Sequence, residues 1–269
     1  MKRKRTNKKL KLLGIILLVS LLCLIGIYAY AKNWEKISEA AEAEKSKPLQ
    51  AHYSIPMLSH ETLPLLKYAE EGDALIEVPL LSQKDSGYKT GCELVSAAMV
   101  LQYYGETITP QQLYEAIDKV DTPVNTDGIG VSPHKYFIGN PEKSNGYGCY
   151  AEPLINAINK LLQRERYAVN IKDTDLATIE RTYLAQDTPV ILWATIQMKP
   201  PKEGNRWTLE DGTQFQWLAG EHCLVLVGAD EDYYYFNDPD YGDEVIGYEK
   251  ELVQQRYDEL GRQAIVISR

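Results

Sequence analysis

Twenty consecutive residues without a charge, Leu12 to Ala31, follow a leader that carries seven basic side chains and no acid. At about 1.5 Å of rise per residue, a helix of that length spans ~30 Å, the hydrocarbon thickness of a bilayer. The chain as a whole is 25% charged, so one membrane segment at the start, followed by a water-soluble domain, is the expected organisation. The basic cluster of Lys2, Arg3, Lys4, Arg5, Lys8, Lys9 and Lys11 is expected to stay cytoplasmic, which sends the bulk of the chain across the membrane. Cleavage as a signal peptide is the alternative, because Ala29-Tyr30-Ala31 has the small-x-small form of a processing site. The apolar run exceeds the ~7–15 residues of an ordinary signal h-region, which favours a retained anchor.

The expected layout is a basic leader (1–11), a transmembrane signal-anchor (12–31), an extracytoplasmic stalk (32–74) and a folded domain (75–269). Such a chain is a single-pass protein of the cell membrane with its C-terminal domain outside, or a secreted one if it is cut after Ala31. The net charge of −9 includes the seven leader positives, so residues 12–269 carry −16. An exported domain this acidic makes nucleic acid an unexpected partner.

The domain opens with Leu75 to Leu81, an apolar stretch that reads as a short strand, restricted to a sheet edge by Pro79. A polar loop from Ser82 to Gly91 follows. Cys92 then begins an apolar run to Tyr104 with the spacing of a buried helix, stopped by Gly105. Cys92 therefore stands in the first turn of a helix. There, free backbone N–H groups and the helix dipole favour a thiolate, the reactive form of cysteine. Gly91 before it leaves room for a substrate carbonyl to approach the backbone.

Downstream, Val190 to Ile196, Glu221 to Gly228 and Tyr233 to Pro239 read as three strands, the last two forming an antiparallel hairpin. The outer ends of that hairpin bring His222 near Asp238. A histidine beside a carboxylate suits a cysteine nucleophile: one ring nitrogen takes the thiol proton, and the carboxylate orients the ring through the other.

Three cysteines remain after the anchor, an odd number that suits a free thiol. Cys223 is expected to point to the face of its strand opposite His222, and Cys149, in a Gly- and Tyr-rich loop, to line the cleft. Trp193 is expected in the core. Trp207 and Trp217, in a polar loop from Lys199 to Gly220, either wall a cleft or pack on the sheet. Segment 121–150 is long enough to shape a substrate groove. His52, His60 and His134 show no metal-ligand spacing, so neither a metal nor another cofactor is expected.

Several of these stretches together resemble the C39-like peptidase family of bacteria. They are Leu81-Ser82-Gln83, Thr90-Gly91-Cys92-Glu93-Leu94-Val95-Ser96-Ala97-Ala98-Met99, Tyr103-Tyr104-Gly105 and Tyr147 to Leu154, then Thr188-Pro189-Val190, Glu221-His222 and Asn237-Asp238-Pro239. The resemblance implies an α+β, papain-like fold in which a helical lobe packs against an antiparallel β-sheet. It implies Cys92 as nucleophile, His222 as general base and then acid, Asp238 as orienter, and Gln83 as the side-chain donor of an oxyanion hole beside the Cys92 N–H. Relatives that trim double-glycine leaders are fused to an ABC transporter. No GxxxxGK[ST] sequence and no ATPase domain occur in this chain, so that role does not carry over.

The expected activity is thiol-dependent hydrolysis of peptide or other amide bonds through a thioester, with a peptide or protein as substrate. The alternatives are a Cys-His cell-wall amidase or transpeptidase, and an inactive surface binding module on the same fold.

Overall fold

The apolar runs at 190–195 and 221–229 show no alternation because both faces of each strand are covered. The computed structural model describes residues 67–68, 75–162 and 166–268, all within one compact unit, Glu61–Arg269. The expected leader, anchor and nearly all of the stalk lie outside the described residues. Among the described residues, no helix is long and apolar enough to cross a membrane.

The elements in chain order begin with β1 (Lys67–Tyr68), α1 (Cys92–Tyr103), α2 (Pro110–Ala116), β2 (Lys119–Val120), β3 (Phe137–Ile138), α3 (Ala151–Leu161), β4 (Ala168–Asn170) and α4 (Leu176–Thr182). They continue with β5 (Val190–Thr195), β6 (Lys202–Thr208), β7 (Gln214–Ala219), β8 (Glu221–Ala229), β9 (Tyr233–Asn237), β10 (Val245–Glu249), α5 (Lys250–Glu259) and β11 (Ala264–Ile267). Seven strands form one antiparallel sheet in the order β1-β10-β9-β8-β5-β11-β4. The strand pair β1–β10 draws an edge strand from the segment read as stalk.

Side-chain parity sorts the core into two layers. Trp193, Cys223, Val225 and Val227 face α1 and α3. Leu192, Ala194, Leu224 and Leu226 face α4 and α5, where Leu176, Ile179, Val253 and Tyr257 are buried. Helix α1 is buried at every position from Cys92 to Leu101, as expected of a helix that is apolar all round. It starts where the sequence places it, and Gly91 also meets a packing need. A Cβ there would stand 3.0 Å from the Tyr88 Cβ and 3.1 Å from the Pro141 Cβ, so glycine permits packing of the loops around the helix start.

Two expectations fail. The stretch 75–81 forms no strand: Leu75 makes an isolated bridge to Gly228, and the Ile76 N–H bonds the Val227 carbonyl at 2.8 Å. Strand β8 is already flanked by β5 and β9, and only the irregularity between Leu226 and Gly228 in the β8–β9 ladder leaves a carbonyl for a third segment. The stretch 199–220 is an antiparallel hairpin, β6–β7, turning through Asp211-Gly212, with Gly212 at φ +84°.

Helix α1 is locked to β8 by one peptide unit on either side of Cys223. The β8–β9 ladder ends at Val225–Asn237. Beyond it, the Cys223 N–H donates to Cys92 Sγ at 3.4 Å and its carbonyl accepts from Ser96 Oγ at 3.0 Å. Residues 92 and 96 share a helix face. Ser96→Ala leaves that buried carbonyl unpaired and is expected to lower the unfolding free energy by about 1–3 kcal/mol, read as a lower urea midpoint with an unchanged slope.

Candidate active site

Cys92 is the first residue of α1, and no side chain caps the helix start. Its N-terminal N–H groups and dipole are thus directed at whatever lies before the helix. Cys92 is 7% exposed and its thiol points inward: besides the Cys223 N–H it lies 3.5 Å from Glu93 Oε2. The peptide it touches joins residues 222 and 223, so the thiol rests against the backbone of His222.

His222 and Asp238 meet as the hairpin reading requires. His222 Nε2 is 2.7 Å from Asp238 Oδ1, and both side chains are buried. Asp238 is itself held in place: Oδ1 accepts the Asp240 N–H at 2.9 Å and Oδ2 accepts the Tyr248 hydroxyl at 3.2 Å. Gln83 is buried as well. Its Nε2 donates to the Lys89 carbonyl at 2.8 Å, its N–H bonds the Pro239 carbonyl at 2.8 Å, and its Oε1 has no partner. Cys92 contacts β8 at Cys223, the residue that follows His222 of the His222–Asp238 pair. Gln83 comes to the same region through Pro239, which follows Asp238. Among the described residues, the Cys92 thiol has hydrogen-bond contacts with Glu93 and Cys223.

This geometry coincides with a match along most of the chain. The profile of the peptidase C39-like family covers residues 75–265. The chain belongs to this family. It is 27% identical over 197 residues to the uncharacterized protein YvpB of Bacillus subtilis (strain 168), an alignment covering 72% of this chain and 76% of YvpB. It is also similar to the crystal structure of a putative C39-like peptidase from Bacillus anthracis, with a TM-score of 0.65 and 29% identity over 72% of this chain and 95% of that one. Family and fold together support a peptidase.

Several residues at the site carried no separate signal in the sequence reading. Glu93 and Glu221 were visible only as acids flanking Cys92 and His222, yet they are 1% and 9% exposed. Ligand atoms of Cys92, Glu93 and Glu221 lie within 4.8 Å of one another. A lone acid inside an otherwise apolar run is the signal that marks them, since a charge there needs a partner. The cysteines also resolve. Cys223 is fully buried on the Cys92 side of β8, and Cys149, expected to line the cleft, is fully buried instead; both are free thiols. The Cys149 peptide is clamped, its N–H on Glu93 Oε1 at 2.6 Å and its carbonyl on Trp193 Nε1 at 3.0 Å.

Trp207 and Trp217 wall no open cleft. They pack with Tyr147, Tyr150 and Phe215, and Trp207 Nε1 bonds the Val131 carbonyl at 2.8 Å, tying segment 121–150 to the β6–β7 hairpin. Two cavities of about 420 and 470 Å³ are lined by none of Gln83, Cys92, His222 or Asp238.

The charges around the site are unequal. Burial opposes a positive His222, but the charge and hydrogen bond of Asp238, with Asp240 and Glu93, raise it to about 9. Burial likewise opposes a charged Asp238, whose carboxyl is nonetheless held below its usual range by His222, Asp240 and Tyr248. Burial, followed by Glu93 and Glu221, pushes the Cys92 thiol well above its ordinary value. Both shifts favour the protonated forms of Cys92 and His222. Because the folded histidine titrates above its unfolded value, its contribution to stability is complete below about pH 6.5 and is lost as pH rises through about 9. An NMR titration of the His222 ring is expected to place its midpoint near 9, and Asp238→Asn is expected to move it down.

Proposed function

We propose that this protein is a cysteine peptidase in which Cys92, His222 and Asp238 act as a triad. The observation that carries this reading is the buried 2.7 Å His222–Asp238 pair standing one peptide from the bond between the Cys223 N–H and Cys92 Sγ. Nε2 is committed to Asp238, which leaves Nδ1 to exchange a proton with the thiol. The proposed contact requires the Cys92 thiol to leave the Cys223 N–H and move toward His222, in keeping with catalytic hydrogen bonds that tighten only when substrate is bound.

The reaction balances as an acyl transfer. Once the site has lost one proton, Cys92 passes its own to His222 Nδ1, and sulfur attacks the substrate carbonyl. The electron pair moves to oxygen, where the Cys92 N–H and Gln83 Nε2 are the donors that stabilise it. His222 then protonates the leaving amine, and a thioester remains. Water attacks it with His222 as base, releasing the carboxylic acid and the thiol. Substrates are peptides or proteins. The uncharged segment 12–31 and the basic leader support a location outside the cytoplasmic membrane, held by that segment.

Cleavage-site profiling of exposed peptides is expected to give products with the wild-type chain and none with Cys92→Ala or His222→Ala; identical profiles would overturn the reading. Gln83→Ala is expected to lower kcat/KM by ~10²–10³. The wild-type rate is expected to increase with pH as the extra proton leaves, through a limb at or below about 9. Cell fractionation tests the location: the full chain belongs in the membrane pellet, with its domain accessible to protease from outside, and recovery in the cytosol would sink that part.

A further inference from the structure

Two acids lie buried beside the nucleophile, and the triad uses neither. We propose that Glu221 is a neutral carboxylic acid and Glu93 a carboxylate, and that this pair positions Cys92 as a protonated, inward-turned thiol until substrate draws it to His222. The inference rests on Cys92 being the nucleophile, but its test reads thiol chemistry rather than peptide cleavage.

Geometry distinguishes the two acids. Glu93 uses both oxygens as acceptors: Oε1 takes the Cys149 N–H at 2.6 Å, and Oε2 faces the Cys92 thiol at 3.5 Å. This is the pattern of an ionised carboxylate. Its cradle is shaped for it. Gly148 adopts φ +83°, and a Cβ there would come 2.1 Å from Glu93 Oε1, so the chain forgoes a side chain to admit the carboxylate. Glu221, by contrast, leaves Oε1 buried and without a partner. No lysine or arginine among the described residues bonds either acid. Two charges so close and so dry repel strongly, and one proton removes the conflict.

The groups facing the pair are Cys92 on α1, Trp193 on β5, His222 and Cys223 on β8, and Cys149 and Tyr150 ahead of α3, with Asp238 and Asp240 behind His222. His222 is the one cation in this set. Burial raises Glu221 well above its ordinary range and Glu93 adds to the shift. Burial raises Glu93 only to about 7, because the N–H of Cys149, its own N–H, the Cys92 thiol and His222 all favour its charge. The order of the two shifts agrees with the assignment drawn from geometry.

A carboxylate within contact of a thiol opposes thiolate formation. It also gives the S–H an acceptor on the side away from catalysis. Glu93 is thus a positioning residue acting through Cys92, and Glu221 sets the charge of Glu93.

The test is alkylation of the full chain by iodoacetamide near neutral pH, with the modified residue located by peptide mapping. Glu93→Gln is expected to speed labelling of Cys92 by about tenfold or more, the equivalent of about one pKa unit. Glu221→Gln replaces a neutral acid by a neutral amide and is expected to leave the rate within about twofold. Equal acceleration by both variants would mean that Glu221 carries charge, and no acceleration by either would remove the pair from control of the thiol; each result overturns the proposal. Infrared difference spectroscopy of the wild type keeps the question decidable if Glu93→Gln does not fold. A protonated-carboxyl band persisting at about pH 8 and lost in Glu221→Gln is expected, and its absence from the wild type would overturn the assignment. Fast labelling without peptide cleavage would defeat the peptidase reading while leaving this one testable.

Discussion

The site depends on the place where one β-ladder stops. Strand β9 pairs with β8 only as far as Asn237 opposite Val225, and the next free peptide groups on β8 belong to Cys223. Helix α1 takes both of them, with Cys92 on the N–H and Ser96 on the carbonyl. A buried peptide unit must be paired somewhere, so ending the ladder one step earlier than the strand creates a docking point for a helix. The same end of β9 releases Asp238 to turn back toward His222. One truncated ladder therefore sets Cys92 against Cys223 and Asp238 against the neighbouring His222, although Cys92 and Asp238 are 146 positions apart in the chain.

Much of this arrangement was legible because it rests on local patterns. The helix after Gly91, the three apolar strands and the meeting of His222 with Asp238 all follow from runs of residue type and from turn signals. What was not legible depended on packing between distant segments. Leu75 to Leu81 has strand composition, but β8 has no continuous free edge to offer it. The β6–β7 hairpin was hidden by polar composition, although Asp211-Gly212 marked its turn. Cys149 looked like a loop residue at a cleft. Its burial follows from Trp193 and Glu93 gripping its peptide from the sheet and the helix, and neither contact has any trace in local sequence.

The electrostatic consequence is a site rich in acids around one histidine. Asp238, Asp240 and Glu93 each favour a protonated His222, and the same Glu93 disfavours a thiolate on Cys92. A helix N-terminus works in the opposite direction on the thiol, but its effect is typically ~0.3–2 kcal/mol. Desolvation of a fully buried thiolate exceeds that, so the inward position of Cys92 decides its protonation. The dipole becomes useful to the thiol only once the sulfur leaves the dry pocket for the helix mouth.

Position and reactivity are for this reason a single variable. While Sγ rests on the Cys223 N–H and beside Glu93 it is sheltered and its protonated form is favoured, and in the proposed mechanism its move toward His222 relieves both conditions at once. Glycine at 148 fits this view: the three atoms nearest to a Cβ there all belong to the Glu93 carboxylate. The fold keeps the Glu93 carboxyl at the inner side of Cys92, where, in the proposed mechanism, it acts only on a thiol that has not yet turned. In the proposed mechanism a residue so placed belongs to the resting state, and the chemistry begins when the sulfur moves away from it.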